Sequence, residues 1–273
     1  RQCAELTARG VAIVGPVHGR LASGVSGDGR LVEPADALQI VLAHHGRLYG
    51  DLRGVRMLVS AGGSREPIDG VRYLTNRSTG KQGHAIAAAA RDRGAEVALV
   101  TSAEIEPPLG LEEVVRVGTH AELARELDRL AGWAHVYIGA AAVADFTPAD
   151  PPVEGKIGRT AEPLTITLRP TADLIGSLAR AGLLRVAFAA EMEDAERRAR
   201  EKLARKGADL LVLNEVRGQD RGFEAPTNRV TVIHRDGTAR SYPESADAVA
   251  SKYDISHRIL DELLPHLAGR GGS

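Results

Sequence analysis

The sequence is poor in cysteine, in aromatic residues and in net charge, and each shortage removes a class of function. Cys3 is the single cysteine among 273 residues. An internal disulfide is therefore excluded, a cysteine-based metal site is argued against, and a cytoplasmic setting is expected. Lysine and arginine total 35 against 36 aspartates and glutamates, so no electrostatic field favours nucleic acid or a membrane surface as partner. No apolar run approaches the roughly 20 residues that span a bilayer. The nine histidines form neither HxxxH nor HxH pairs, which argues against a histidine-based metal centre. The chain starts at Arg1 without a methionine, and a fragment or processed product of a longer protein is expected.

What is present is a core-forming chain, 43% hydrophobic and 26% charged, long enough for one large or two small domains. Residues 1–50 are rich in glycine and read as a loop-rich lead-in with a short helix at Pro34 to His44. From Gly54 onward, short apolar runs alternate with helical patterns. That alternation predicts an α/β fold, a Rossmann-like, doubly wound, mostly parallel sheet. Strands are expected at Val55 to Ser60, Glu96 to Thr101, weakly at Val114 to Val117, then at His135 to Gly139, Leu164 to Leu168, Val186 to Ala190 and Leu210 to Leu213. Helices are expected at His84 to Arg93, after a Thr119/Glu122 capping box through Leu130, at Thr171 to Ala181 capped by Thr171, at Asp194 to Lys206, and at Ser245 to Leu267. Asp236-Gly237 between alternating runs signals a C-terminal β-hairpin. The proline-rich stretch 146–163, with Lys156 and Arg159, reads as a long flap loop.

The stretch Gly54 to Gly83 organises the rest. A strand ends in Ala61-Gly62-Gly63, residues that tolerate close approach and positive φ, and a helix restarts after Asn76-Arg77-Ser78-Thr79-Gly80-Lys81. If Ser78 or Thr79 caps that helix, its unpaired N–H groups suit an anion; an ordinary strand-loop-helix connection is the alternative. The spaced glycines of a dinucleotide fingerprint are missing, as are an acid after the second strand and a Tyr-x-x-x-Lys pair, which demotes hydride transfer. Gly80-Lys81 is not followed by Ser or Thr, so the loop is not a Walker phosphate loop. Polar residues remain at the carboxyl ends of strands: Ser64, Glu66, Asp145, Glu191, Glu193, Asn214 and Glu215. Lys156, Lys202 and Lys206 could bring cations to a polyphosphate there, although the last two are also read as a solvated helix face.

These residues carry a family resemblance. Ser60-Ala61-Gly62-Gly63-Ser64-Arg65-Glu66-Pro67-Ile68-Asp69, Arg72 to Lys81, Ala140 to Asp145, Phe188-Ala189-Ala190-Glu191, the helix ending at Lys206 and Leu213-Asn214 together resemble phosphopantothenoylcysteine synthetase, over about residues 54–267. Gly19-Arg20-Leu21-Ala22-Ser23-Gly24 and Gly27-Asp28-Gly29-Arg30 resemble the end of the flavin-dependent decarboxylase fused ahead of that synthetase in many bacteria. The resemblance implies a decarboxylase remnant and linker over 1–50, a ligase domain over 51–273, and a possible decarboxylase domain before Arg1. In the decarboxylase family the place of Ser23 is held by a proton-donating cysteine, and no flavin is expected for this chain alone.

For the ligase, the resemblance implies that 4′-phosphopantothenate attacks CTP with Mg²⁺ present, and that cysteine then displaces CMP from the acyl-cytidylate. Asn76 and Lys156 would be catalytic, and Arg72 and Asn76 would hold the phosphopantothenate end. Gly139, Ala140, Ala141, Asp145, Lys156, Ala172, Asp173, Leu174, Ile175, Phe188, Lys202 and Lys206 would contact the nucleotide, and a homodimer is implied. The family's Lys-Ile-Lys-Lys is here Lys156-Ile157-Gly158-Arg159, its Asn-Pro-Asp is Thr171-Ala172-Asp173, its Glu-Thr is Glu191-Met192, and its Asn-Asp is Asn214-Glu215. A paralogue joining another acid and amine by the same mechanism, and a non-catalytic scaffold, stay open as alternatives.

Overall fold

A computed structural model describes residues 2–159, 162–190, 194–214, 222 and 224–268. Glu191, Met192, Glu193 and Glu215, singled out above, lie outside the described residues. The lead-in holds more regular structure than its glycines suggest: α1 (Gln2–Ala8), a hairpin of β1 (Val17–Arg20) and β2 (Ser26–Arg30), and α2 (Pro34–Tyr49). α2 runs five residues past the expected end at His44 because it packs on α3 (Lys81–Asp92). A Cβ on Gly46 would lie 2.4 Å from the Asp92 carbonyl oxygen, so the glycine lets the two backbones touch.

Beyond α2 come β3 (Arg56–Ala61), β4 (Arg65–Pro67), β5 (Tyr73–Thr75), α3, β6 (Glu96–Thr101), β7 (Glu113–Arg116), α4 (His120–Ala131), β8 (Val136–Gly139) and β9 (Phe146–Pro148). They are followed by β10 (Leu168–Pro170), α5 (Leu174–Ser177), β11 (Leu184–Ala190), α6 (Ala195–Lys206), β12 (Leu210–Asn214), β13 (Thr227–Asn228), β14 (Val230–His234), β15 (Ala239–Tyr242), β16 (Ala250–Ser251), α7 (Lys252–Asp261) and α8 (Leu264–Leu267). Eight strands form the central sheet in the order β15-β14-β12-β11-β8-β3-β6-β7. The strands from β12 to β7 are parallel, and the hairpin β14–β15 adds antiparallel to β12. The α/β, Rossmann-like, mostly parallel expectation holds.

Period-two alternation sorts each strand's side chains between two cores. Met57, Val59, Val136, Ile138, Val186 and Val212 face α3 and α7, packing with Ile86, Ala90, Ile255 and Ile259. Leu58, Ala98, Tyr137, Ala187 and Leu211 face the opposite way, packing with Leu123 and Leu127 of α4, Ile175 of α5 and Leu203 of α6. The helix after β3 therefore covers one face, while α5 and α6, which follow β8, cover the other. Between the adjacent strands β3 and β8 the winding reverses, and in open α/β sheets the ligand crevice opens at the carboxyl ends of such a pair.

Four local expectations are corrected. Gly80, at φ 77°, occupies the N-cap of α3, and no side chain of Ser78 or Thr79 caps it. Leu164 to Thr167 alternate in sequence but have no neighbouring strand among the described residues, and pairing begins only at Leu168, against β9. The helix expected from Thr171 is the short α5, capped by Asp173, which accepts from the Ile175 N–H at 3.3 Å; Thr171 instead donates its hydroxyl to the Ala144 carbonyl at 2.7 Å. The long final helix starts only at Lys252, with Ser251 as its cap, and breaks before α8, where Pro265 stands in the first turn and has no N–H for a continuous helix. The Thr119/Glu122 capping box forms as expected.

Candidate functional site

A cavity of about 1000 Å³ opens over the carboxyl ends of β8, β11 and β12, at the reversal between β3 and β8. Its walls come from both faces of the sheet. Asn76 to Gly83 and Lys252 close it on the α3 and α7 side, and Thr171 to Ile175 with one side of α6 close it on the other. Gly139 to Val143 form the floor between them.

The floor depends on close contacts. A Cβ on Gly139 would come 2.6 Å from the Ile175 Cδ1, so glycine lets α5 sit directly over the strand end. Beneath it the Tyr137 hydroxyl meets Ser60 Oγ at 3.1 Å, and burial pushes the phenol above its ordinary pKa, keeping it neutral. The Ala142 N–H donates to the Gly62 carbonyl at 2.8 Å, stitching the β3 tip to the floor. Asn76 Nδ2 donates to the carbonyls of Ala142, at 3.2 Å, and Val143, at 3.0 Å. The turn before α3 is thus oriented by the floor it faces.

The α6 wall carries more cation than the sequence reading assigned. Lys202 and Lys206 face the cavity as expected, and Arg198 and Arg205 join them. Arg198, Lys202 and Arg205 stand at i, i+4 and i+7, a single helical stripe by spacing whose inward direction only the fold shows. Lys206 pairs with Asp173, so the α5 cap and the basic stripe form one unit. On the other wall two ammonium groups bond to backbone. Lys81 Nζ donates to the Glu224 carbonyl at 2.7 Å. Lys252 Nζ donates to the carbonyls of Gly222, at 2.8 Å, Ala225, at 2.6 Å, and Thr227, at 3.2 Å. Burial, with the Lys81 charge nearby, pushes the Lys252 pKa down to about 8. Neither lysine was named as a site residue from sequence.

Of the residues named from sequence, Asn76, Gly139, Ala140, Ala141, Asp145, Ala172, Asp173, Leu174, Ile175, Phe188, Lys202 and Lys206 line this one cavity. Arg72 and Lys156 do not. Arg72 is held outside by Asp69, its Nε 2.9 Å from Oδ2, and donates to the Ile157 carbonyl at 2.8 Å. Lys156 is exposed on the flap next to that anchor. Ser64 and Glu66 also leave the crevice: Ser64 Oγ accepts from the Ala144 N–H at 3.0 Å, and buried Glu66 accepts from the His120 N–H at 2.9 Å, at the start of α4.

Asp69, which was not singled out from sequence, fastens the flap. Its carboxylate accepts from the N–H groups of Val71, Arg72 and Ile157 as well as from the Arg72 guanidinium. Those partners hold its pKa far below the usual carboxylate range, Arg72 first among them. A depressed carboxylate contributes stability that is complete above the unfolded value of about 3.9 and fades only as pH falls toward the folded one, so the anchor persists at neutral pH. Asp69→Ala is expected to speed cleavage after Lys156 by a lysine-specific protease about tenfold at pH 7.5, since the hydrogen bonds that fasten the flap would be lost. Cleavage at the unchanged rate would show that the flap is held by other contacts.

Three comparisons place the chain among known proteins. The family model described as the DNA/pantothenate metabolism flavoprotein C-terminal domain matches residues 52–266. The coenzyme A biosynthesis bifunctional protein CoaBC of Mycobacterium bovis is 42% identical over 97% of this chain, which spans 66% of that relative's length. A cysteine/cysteine sulfinic acid decarboxylase of unknown prokaryotic origin is 36% identical over 97% of the chain and 74% of its own length. Among solved structures, the C-terminal domain of a CoaBC protein superposes with a TM-score of 0.67 at 31% identity, covering 81% of this chain and 99% of that one.

Proposed function

This chain belongs to the family of DNA/pantothenate metabolism flavoprotein C-terminal domains, and on that basis we propose that it joins 4′-phosphopantothenate to cysteine through an acyl-cytidylate. The observation that carries the reading is the single cavity walled from both faces of the sheet, with a basic stripe on one wall and the Asn76 turn on the other. A reaction that first unites a carboxylate with a nucleotide needs both halves.

In the first step a phosphopantothenate carboxylate oxygen bonds to the nucleotide α-phosphorus and pyrophosphate leaves. Arg198, Lys202, Arg205 and Lys206 offset the charge of the polyphosphate, which water would otherwise have to do. Asn76, fixed by two floor carbonyls, places its amide against the activated acyl group. In the second step the amine nitrogen bonds to the acyl carbon, the bond to the phosphate oxygen breaks, CMP leaves with the electron pair, and the surplus proton passes to water. Among the described residues no cluster of three or more His, Cys, Asp or Glu side chains could hold a metal. Asp145, a carboxylate of the cavity lining, would hold a Mg²⁺ together with the nucleotide, and the ion would supply charge neutralisation there. Lys156, on its flap outside this cavity, fits a role across a homodimer interface, as the family resemblance implies. The remainder of a longer relative, including a decarboxylase domain, would precede the chain, and a cytoplasmic setting is part of the same proposal.

A second reading keeps the mechanism and changes the acid and amine. The flap's Gly158-Arg159 and the relative whose name describes a decarboxylase acting on cysteine support it. The test is pyrophosphate release from CTP with Mg²⁺ and 4′-phosphopantothenate, with and without cysteine, together with product mass. Release requiring phosphopantothenate, and a cysteine amide as product, is the expected result. Release only with another acid favours the paralogue, and none with any nucleotide and acid rejects ligase activity.

A further inference from the structure

The wall that carries Lys252 contains a polar group with no partner. Asn214 is the last residue of β12 and lines the cavity, it is 8% exposed, and its Oδ1 is buried without a hydrogen-bond donor. Among the described residues only one other buried side-chain atom is in that state, Arg56 Nε, and it does not line the cavity. A buried asparagine that serves structure looks different: Asn228 donates to Gln82 Oε1 at 3.1 Å and accepts from the Arg229 N–H at 3.0 Å. The acceptor on Asn214 is left open at a place where something else can fill it.

Its direction follows from the strand. Leu210 and Val212 point into the α3 and α7 core, and Leu211 and Leu213 into the opposite one. Alternation therefore puts the Asn214 side chain on the α3 and α7 face, away from the basic stripe of α6 and from Asp173. Of the ammonium groups nearby, Lys252 gives its protons to the carbonyls of Gly222, Ala225 and Thr227, and Lys81 gives one to the carbonyl of Glu224. What Asn214 adds to this wall for an occupant is a neutral acceptor.

We propose that Asn214 binds the amine substrate, its Oδ1 accepting one N–H of the attacking nitrogen; this rests on the ligase reading given above. A neutral acceptor suits that task. An amine attacks only as the free base, and a carboxylate in the same place would favour the unreactive ammonium form. With one N–H held by the amide, the nitrogen lone pair can be directed at the acyl carbon.

The test uses the full chain, with L-cysteine as the amine, and separates the two half-reactions. Exchange of labelled pyrophosphate into CTP with phosphopantothenate, without cysteine, reports the first; the KM for cysteine reports the second. For Asn214→Ala, exchange is expected within about twofold of wild type and the cysteine KM about tenfold higher, the loss of one hydrogen bond to a buried acceptor. Asn214→Asp is isosteric and keeps the test open if the alanine variant does not fold; it should move the pH of half-maximal cysteine turnover upward by about one unit. A raised KM for CTP with an unchanged KM for cysteine would assign the amide to the nucleotide's amino group and overturn the proposal. Unchanged constants together with an unchanged pH profile would overturn it as well. If the wild-type chain shows no exchange, the ligase reading fails, and this assignment fails with it.

Discussion

Asn76→Ala is expected to lower the rate of amide formation by about 10²-fold, the usual consequence of losing a fixed group that orients the reacting atoms, while leaving the melting temperature within about 4 °C. The two halves of that expectation have separate grounds. Asn76 is exposed, and its amide contributes two hydrogen bonds to the carbonyls of Ala142 and Val143, so the cost to folding is about 1 kcal/mol or less. Those same bonds aim the side chain into the cavity before any ligand arrives, and catalysis depends on such prior orientation. The experiment is steady-state amide formation alongside thermal unfolding. A rate within threefold of wild type would remove Asn76 from the chemistry; a parallel collapse of melting temperature would make it a structural residue.

Gly62→Val is expected to destabilise the protein by about 4 kcal/mol, combining backbone strain with overpacking. At roughly 2–4 °C per kcal/mol for a domain of this size, melting should fall by about 8–16 °C. Gly62 has φ 89°, a region that β-branched residues avoid. A Cβ there would also come 2.4 Å from Ser102 Oγ and 2.6 Å from the Ala103 N–H nitrogen. The carbonyl of the same residue holds the Ala142 N–H, so relief of the clash would pull the cavity floor away from β3. Calorimetry and nucleotide binding should therefore fail together. A shift below 2 °C would mean that the turn can flip without cost.

Much of the parallel sheet was legible before the structure because β3, β6, β8, β11 and β12 are apolar runs of strand length ended by small or polar residues. Buried on both faces, they leave little choice of register. Leu164 to Leu168 shows the limit of that signal: its alternation is as regular as any in the chain, yet Leu164 is 57% exposed and no strand among the described residues lies beside it. Pairing is a property of two segments, and one segment cannot announce it. α5 and α7 failed in another way, since Asp173 and Ser251 cap their helices later than the first plausible cap.

The site divides along the same line. The floor residues, Asn76 and the lysines of α6 stood out through their motif and spacing. Arg198 and Arg205 were visible only as part of a charged helix until the cavity showed which side of that helix faces inward. Asp69 is one acid among 36 acidic residues, and its importance comes from Ile157, far along the chain, whose N–H reaches its carboxylate at 3.1 Å.

By itself the sequence determined the α/β class, the strand ends over which the cavity opens, the lack of an internal disulfide within this chain and the family that its motifs resemble. These follow from local propensity, side-chain period and composition, which act within a few residues. Only the tertiary structure decided which polar groups are left for a ligand. Lys252 and Asn228 have spent their hydrogen bonds on backbone or neighbouring side chains, whereas Asn214 has kept its acceptor. That difference depends on what each side chain meets across the fold, and burial makes it matter, because a buried acceptor has no water to fall back on.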